Sequence, residues 1–140
     1  LLSFLVTALA RLRERRKDDA SAKAKVPKKR LATARGHLER GDARAFYTEI
    51  ALVLREMLAA RLGEPVTGFT LTELRAVLTE RGMAPDLVGR LIDELEGTDF
   101  ARFSASGSSA PEMRQCLERT DALLERLAKF SPAAREEGAP

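Results

Sequence analysis

The chain contains one histidine, one cysteine and no tryptophan in 140 residues, and these absences exclude whole classes of chemistry. With Cys116 as the sole cysteine there is no disulfide framework and no Cys-x-x-Cys site. A buried apolar thiol is its expected state. His37, in Arg35-Gly36-His37-Leu38-Glu39-Arg40, has no second metal-type ligand at a useful spacing and reads as solvated or structural. Neither a Gly-x-x-x-x-Gly-Lys-Ser/Thr nor a Gly-x-Gly-x-x-Gly sequence is present, which removes the usual phosphate cradles. The acids Asp93, Glu94 and Glu96 are the remaining candidates for paired-carboxylate work. A charged solvent face opposite Leu91, Ile92 and Leu95 accounts for them. No catalytic, cofactor or metal-binding residue is assigned, and the chain reads as non-enzymatic.

Long hydrophobic runs are also missing. The most apolar stretch, Leu1 to Ala10, covers about 15 Å as a helix, half of a hydrocarbon core of roughly 30 Å. It is followed directly by Arg11, Arg13, Arg15, Arg16 and Lys17. An apolar stretch running into a short basic flank is the pattern of a transmembrane helix leaving the membrane on its cytoplasmic side. A secretory signal has its charges before the apolar run, the reverse order. Residues 1–10 are therefore expected to be the end of a membrane span whose remainder precedes Leu1. Residues 11–30 are expected to form a basic juxtamembrane flank and linker, with the following domain on the cytoplasmic side of the membrane.

Charge is divided along the chain in the same sense. Residues 1–30 carry ten Lys or Arg against Glu14, Asp18 and Asp19, a net of +7, whereas residues 31–140 carry a net of −4. Basic groups beside an anionic leaflet contribute up to about 1 kcal/mol each. A nucleic-acid binder would carry its basic patch on the folded module, and here that module is mildly acidic.

Six phenylalanines and one tyrosine leave the core to Leu, Ala, Val and Ile. Residues 31–130 are expected to fold as an all-α bundle of about five helices, with a disordered tail over 131–140. Lys28 to Arg40 places Leu31, Ala34 and Leu38 at helical spacing and ends at Gly41, a C-cap residue. Asp42 is placed to cap a second helix whose stripe is Phe46, Ile50, Val53, Leu54, Met57, Leu58 and Leu62. Thr70-Leu71-Thr72-Glu73 matches a capping box before a third helix that Gly82 stops. Pro85 and Asp86 open a fourth helix, expected to end before Gly97. Thr98 to Ala110 reads as a loop in which Phe100 and Phe103 plug the core. Ser109 and Glu112 cap a last helix that ends at Ser131-Pro132.

Two stretches carry a family resemblance. Ala34-Arg35-Gly36-His37-Leu38-Glu39-Arg40-Gly41-Asp42-Ala43-Arg44-Ala45-Phe46-Tyr47 matches an Ala-x-x-x-Leu-x-x-Gly-Asp-x-x-x-Phe-Tyr pattern. Leu54-Arg55-Glu56-Met57-Leu58-Ala59-Ala60-Arg61-Leu62-Gly63 comes next, then Thr70-Leu71-Thr72-Glu73-Leu74 and Asp99-Phe100-Ala101-Arg102-Phe103. In content and order these resemble the C-terminal cytoplasmic region of BatD, the bacterial oxygen-tolerance family. The resemblance covers roughly Leu1 to Ala128. Other membrane-anchored bacterial helical domains share its Gly-Asp and Thr-x-x-Glu elements. It implies a non-enzymatic adaptor working with MoxR-type AAA ATPases and von Willebrand factor A domain proteins, and it supplies no catalytic residues to carry over. Within it, Asp99, Arg102 and Phe103 have two readings: a loop lock with Arg102 paired to an acid and the rings in the core, or a partner-binding loop. Two other folds fit parts of the pattern. The Leu31 to Gly63 helix pair suits a tetratricopeptide-like peptide binder, although no second copy occurs at a period near 34. Leu71 to Leu95 suits a nucleic-acid-binding regulatory helix-turn-helix, whose second helix would offer only Arg90 against Asp93, Glu94 and Glu96.

Overall fold

A computed structural model of the chain describes residues 31–103 and 109–133. The expected membrane span, the basic flank (Arg11, Arg13, Arg15, Arg16, Lys17) and tail residues 134–140 lie outside the described residues. Among the described residues all regular structure is helical: α1 over 31–39, α2 Ala43–Leu62, α3 Leu71–Glu80, α4 Pro85–Phe103 and α5 Ala110–Lys129. None of these helices is long and apolar enough to cross a membrane.

The helix boundaries arise from side chains that satisfy free backbone groups. Asp42 Oδ1 accepts from Ala45 N at 3.2 Å, Thr70 Oγ1 from Glu73 N at 3.1 Å and Ser109 Oγ from Glu112 N at 3.3 Å. Each bond satisfies an amide that has no partner within its own helix. At the other ends, Gly41 and Gly82 adopt left-handed φ of 70° and 86°. Paired return bonds, Gly41 N to Leu38 O with Asp42 N to His37 O and Gly82 N to Thr79 O with Met83 N to Leu78 O, close α1 and α3 in the same Schellman geometry. A side chain with a Cβ is strained in that backbone region, which accounts for glycine at both positions.

α2 is the central element. It packs most extensively on α4 and also on α5, while α4 bridges α3 and α5. Phe46, Ile50, Val53, Leu54 and Leu58 of α2 are fully buried. They form one core with Leu74 and Leu78 of α3, Leu91 and Leu95 of α4 and Leu124 and Leu127 of α5, and Leu31 and Ala34 join α1 to it. All three methionines are buried, and among the described residues the only buried aromatics are Phe46 and Tyr47. The core is thus aliphatic, as the scarcity of aromatic residues requires.

Ion pairs mark the relative direction of two of the helices. Glu94 meets Arg119 and Asp86 meets Arg126, so α4 and α5 run antiparallel. Phe130 O accepts from Arg61 Nε at 2.9 Å and from Arg61 Nη2, which joins the ends of α2 and α5. Residues 131–133 continue onto the end of α3: Ala133 N donates to Arg81 O at 2.8 Å, and Arg81 Nε donates to Ala133 O at 2.6 Å.

α4 does not end before Gly97. It continues to Phe103, so the expected loop start at Thr98 is two more helical turns. Gly97 has no positive φ and therefore no helix-stopping geometry. Thr98, one residue on, is buried and donates its hydroxyl to Leu95 O at 2.8 Å, holding the chain on the helical path. A Cβ built at Gly97 meets nothing within 4 Å. Gly97→Ala is therefore expected to stabilise the domain by about 0.5–1 kcal/mol, through helix propensity and a less flexible unfolded chain. Urea denaturation with an unchanged slope would measure it, and a loss of stability would mean that position 97 needs glycine for a reason other than propensity.

Candidate functional site

The longer α4 carries Asp99, Arg102 and Phe103 on a helix rather than a loop, and this moves the aromatic rings. Phe100 and Phe103 are each 74% exposed. Neither plugs the core, in contrast to the expectation. Their helical register comes after Leu91, Leu95 and Thr98, which already occupy the buried stripe, so both phenylalanines fall outside it. Among the described residues the only other large exposed hydrophobic is Leu52 of α2, at 41%.

Charges gather beside these rings. Asp99 Oδ1 accepts from Arg102 Nη2 at 3.4 Å, and Asp99 Oδ2 lies 3.9 Å from Arg55 Nη2. The Arg102 guanidinium also stacks over Phe103, 4.8 Å from the ring centroid. A cation over an aromatic face gains about 0.5–1 kcal/mol at an exposed site. Partly exposed ion pairs at these distances add about as little. Arg102 does pair with an acid, as the loop-lock reading expects, but the accompanying burial of the rings is absent. The cluster is weakly stabilising, and it places the Arg102 guanidinium between Asp99 and the Phe103 ring at the surface. Arg102 Nε is nonetheless enclosed and has no hydrogen-bond partner among the described residues.

A second feature lies between α4 and α5. Glu94 is not on a solvent face with Asp93 and Glu96. Its side chain is only 10% exposed and accepts two bonds from Arg119: Nε to Oε2 at 2.9 Å and Nη2 to Oε1 at 3.2 Å. This fork uses both carboxylate oxygens with parallel geometry, the strongest form of such a pair. The Arg119 side chain remains 57% exposed, and its acidity is weakened by the hydrogen bond to Glu94. The sequence contained a signal for this, since Glu94 sits three residues after Leu91 and four before Thr98, at stripe spacing. Asp93 and Glu96, off that stripe, are exposed as expected. Around the fork, Arg90, Asp93, Ala122, Leu123 and Arg126 complete the lining of a cleft of about 520 Å³.

Cys116 is buried beside this pair, and burial first, then the negative charge of Glu94, pushes its thiol up to about 12. Thr120, fully buried one turn on, has no hydrogen-bond partner for Oγ1 among the described residues. The thiol therefore stays protonated and unreactive in the folded state. Its unfolded pKa is lower, so above that value the unfolded chain binds fewer protons and stability falls with rising pH until the folded value is passed. Between pH 9 and about 12 the stability of the native chain is expected to fall more steeply than that of Cys116→Val, as measured by denaturation at stepped pH. Equal slopes would show that the thiol is not desolvated.

His37 is engaged within α1, where Arg40 Nη2 lies 2.9 Å from Nδ1. Among the described residues no group of three or more His, Cys, Asp or Glu side chains is arranged to hold a metal ion.

The fold and these two surfaces define a class: an all-α helical domain with ion pairs within and between its helices. No family model matches the chain, and no curated protein or solved structure is similar to it at a significant level.

Proposed function

We propose that this domain is a non-enzymatic adaptor of a BatD-like cell-envelope system, tethered to the bacterial inner membrane through residues 1–30 and binding protein partners on the cytoplasmic side. The observation that carries this reading is the pair of exposed phenylalanines at the end of α4. Two rings at 74% exposure stand beside a guanidinium that pairs with Asp99, whereas among the described residues every other large apolar side chain except Leu52 is buried or partly buried. Aromatic and arginine side chains are enriched at protein interfaces, the rings because they bury large apolar areas with few rotors and arginine because its planar guanidinium both stacks and donates several hydrogen bonds. The motif resemblance supports MoxR-type AAA ATPases and von Willebrand factor A domain proteins as the partners. The net charge of +7 over residues 1–30 supports the tether.

The test is to express the chain behind a complete membrane span in bacterial membranes and purify it in mild detergent, with a Leu31 to Pro140 form alongside. Co-purification of an AAA ATPase or a von Willebrand factor A protein with both forms is the expected result. A Phe100→Ser, Phe103→Ser variant is expected to reduce that recovery at least about tenfold while unfolding within about 0.5 kcal/mol of the parent, since neither ring contributes to the core. Recovery of neither partner class, or nucleic acid in their place, would overturn the adaptor reading.

A further inference from the structure

We propose that residues 130–133 are a latch that holds α3 on the bundle, and that α3 is released when this end of the chain is drawn away. The latch involves neither the rings of α4 nor a partner protein, so it stands apart from the adaptor reading.

α3 is the least anchored of the helices α2 to α5. At ten residues it is too short to persist alone in water, so its surroundings must hold it. It buries only Leu74 and Leu78, whereas α2, α4 and α5 each bury seven or more side chains. Of those three helices it packs against α4 alone.

A second attachment comes from the chain that leaves α5. Phe130 ends that helix in an extended conformation, with φ −75° and ψ 128°, and Pro132 cannot continue a helical hydrogen-bond ladder. Phe130 O accepts from Arg61 in the last turn of α2. Three residues on, the main chain of Ala133 meets Arg81, the C-cap of α3. Ala133 N donates to Arg81 O at 2.8 Å, and Arg81 Nε donates to Ala133 O at 2.6 Å. Both main-chain groups of Ala133 are engaged by one residue of α3, which fixes its position and its direction. The turn at Gly82 closes α3 beside it, and a Cβ built on Gly82 stands 3.7 Å from Ala133 Cβ. Residues 130–133 thereby tie the end of α3 to the ends of α2 and α5, two helices on which α3 does not itself pack.

The same residues are placed to open. Ser131 and Ala133 are exposed, and the bond from Arg81 to Ala133 is made at the surface. A segment with few buried contacts and exposed hydrogen bonds opens at a free energy well below that of global unfolding. Once it has opened, α3 keeps its contact with α4 and its two connecting loops. Its departure then uncovers Leu74 and Leu78, which have no exposed surface in the closed bundle.

Hydrogen exchange of the 140-residue chain in mild detergent tests this. Ala133→Pro deletes the donated amide without altering α3, and Arg81→Ala deletes the returning guanidinium bond. Each variant is expected to speed exchange of the α3 amides at least about fivefold, the effect of losing one net hydrogen bond, and the double variant at least about tenfold. Amides of α2 and α5 are expected to stay within about twofold of the parent, and the exposed control Ser131→Ala to change nothing. Equal acceleration of α2, α3 and α5 would overturn the inference, because residues 130–133 would then add only to global stability. Unchanged α3 exchange in the double variant would overturn it too, because α4 and the loops would then hold α3 unaided. Neither outcome touches the co-purification that tests the adaptor reading, so the two fail separately.

Discussion

Phe46→Ala is expected to cost the domain about 3–5 kcal/mol. Phe46 has no exposed surface and sits in the first turn of α2, with its ring edge-on to Tyr47 at 5.0 Å between centroids and an interplanar angle of 77°. Beyond the neighbouring Tyr47 ring, the fully buried side chains of the core are aliphatic. Truncation would leave a cavity beside side chains from several helices and remove the edge-to-face contact, worth about 0.5–1.5 kcal/mol beyond area. Domains of this size have about 5–15 kcal/mol of total stability, so the variant is expected to be partly unfolded at physiological temperature. Denaturant titration of Phe46→Ala beside Phe46→Leu would measure the effect, with the leucine variant retaining most of the stability because it keeps most of the volume. A loss below about 1 kcal/mol for the alanine variant would mean that the site collapses freely and that α2 is not centred on this ring. Phe103→Ala supplies the contrast, with an expected change within about 0.5 kcal/mol, because its ring is already largely in water.

Arg119→Ala is expected to cost about 2–3 kcal/mol, more than Glu94→Gln at about 1 kcal/mol. The asymmetry comes from exposure. The Glu94 side chain is 10% exposed and its carboxylate cannot rehydrate if its partner is removed, whereas the Arg119 side chain at 57% can turn fully into water. Breaking a fully buried pair by deleting one partner costs about 3–5 kcal/mol, and the solvent already around Arg119 reduces that figure. Deleting Arg119 also leaves Glu94 with the Cys116 thiol beside it, a weak donor in place of two charge-assisted bonds. The double replacement Glu94→Leu, Arg119→Leu is expected to recover most of the loss, since apolar isosteres of buried pairs are often neutral or stabilising. A double-mutant cycle read by thermal or urea denaturation would give the coupling directly. If Glu94→Gln proved the costlier change, the carboxylate would be better solvated than its burial implies.

The caps were legible because each depends on two or three neighbouring residues. Thr70 with Glu73, Ser109 with Glu112, and Asp42 after Gly41 can be read locally, since the hydrogen bonds they make span three residues. The stripe of α2 was legible for a related reason: a helix with one buried face repeats its apolar residues at helical spacing wherever the rest of the protein lies. Gly97 misled because glycine stops a helix only when it adopts a left-handed φ, and its packing surroundings decide whether it does. Here the burial of Thr98 keeps the chain helical. That single extension carried Phe100 and Phe103 from an expected core position to the surface.

Glu94 shows the limit from the other side. Its stripe position was visible, but an acid at such a position is either displaced to solvent or compensated from another helix, and only the packing of α5 supplies the compensating Arg119, twenty-five residues away. The sequence by itself determined an all-α fold, the ends of most helices and an aliphatic core, because those are set by local hydrogen bonding, backbone conformation and periodic burial. Only the tertiary structure decided which side chains lie between helices and which lie outside them. The Glu94–Arg119 fork, the α4–α5 cleft and the exposed rings of α4 all depend on the antiparallel approach of helices distant in sequence, and such an approach leaves no periodic trace in either helix alone.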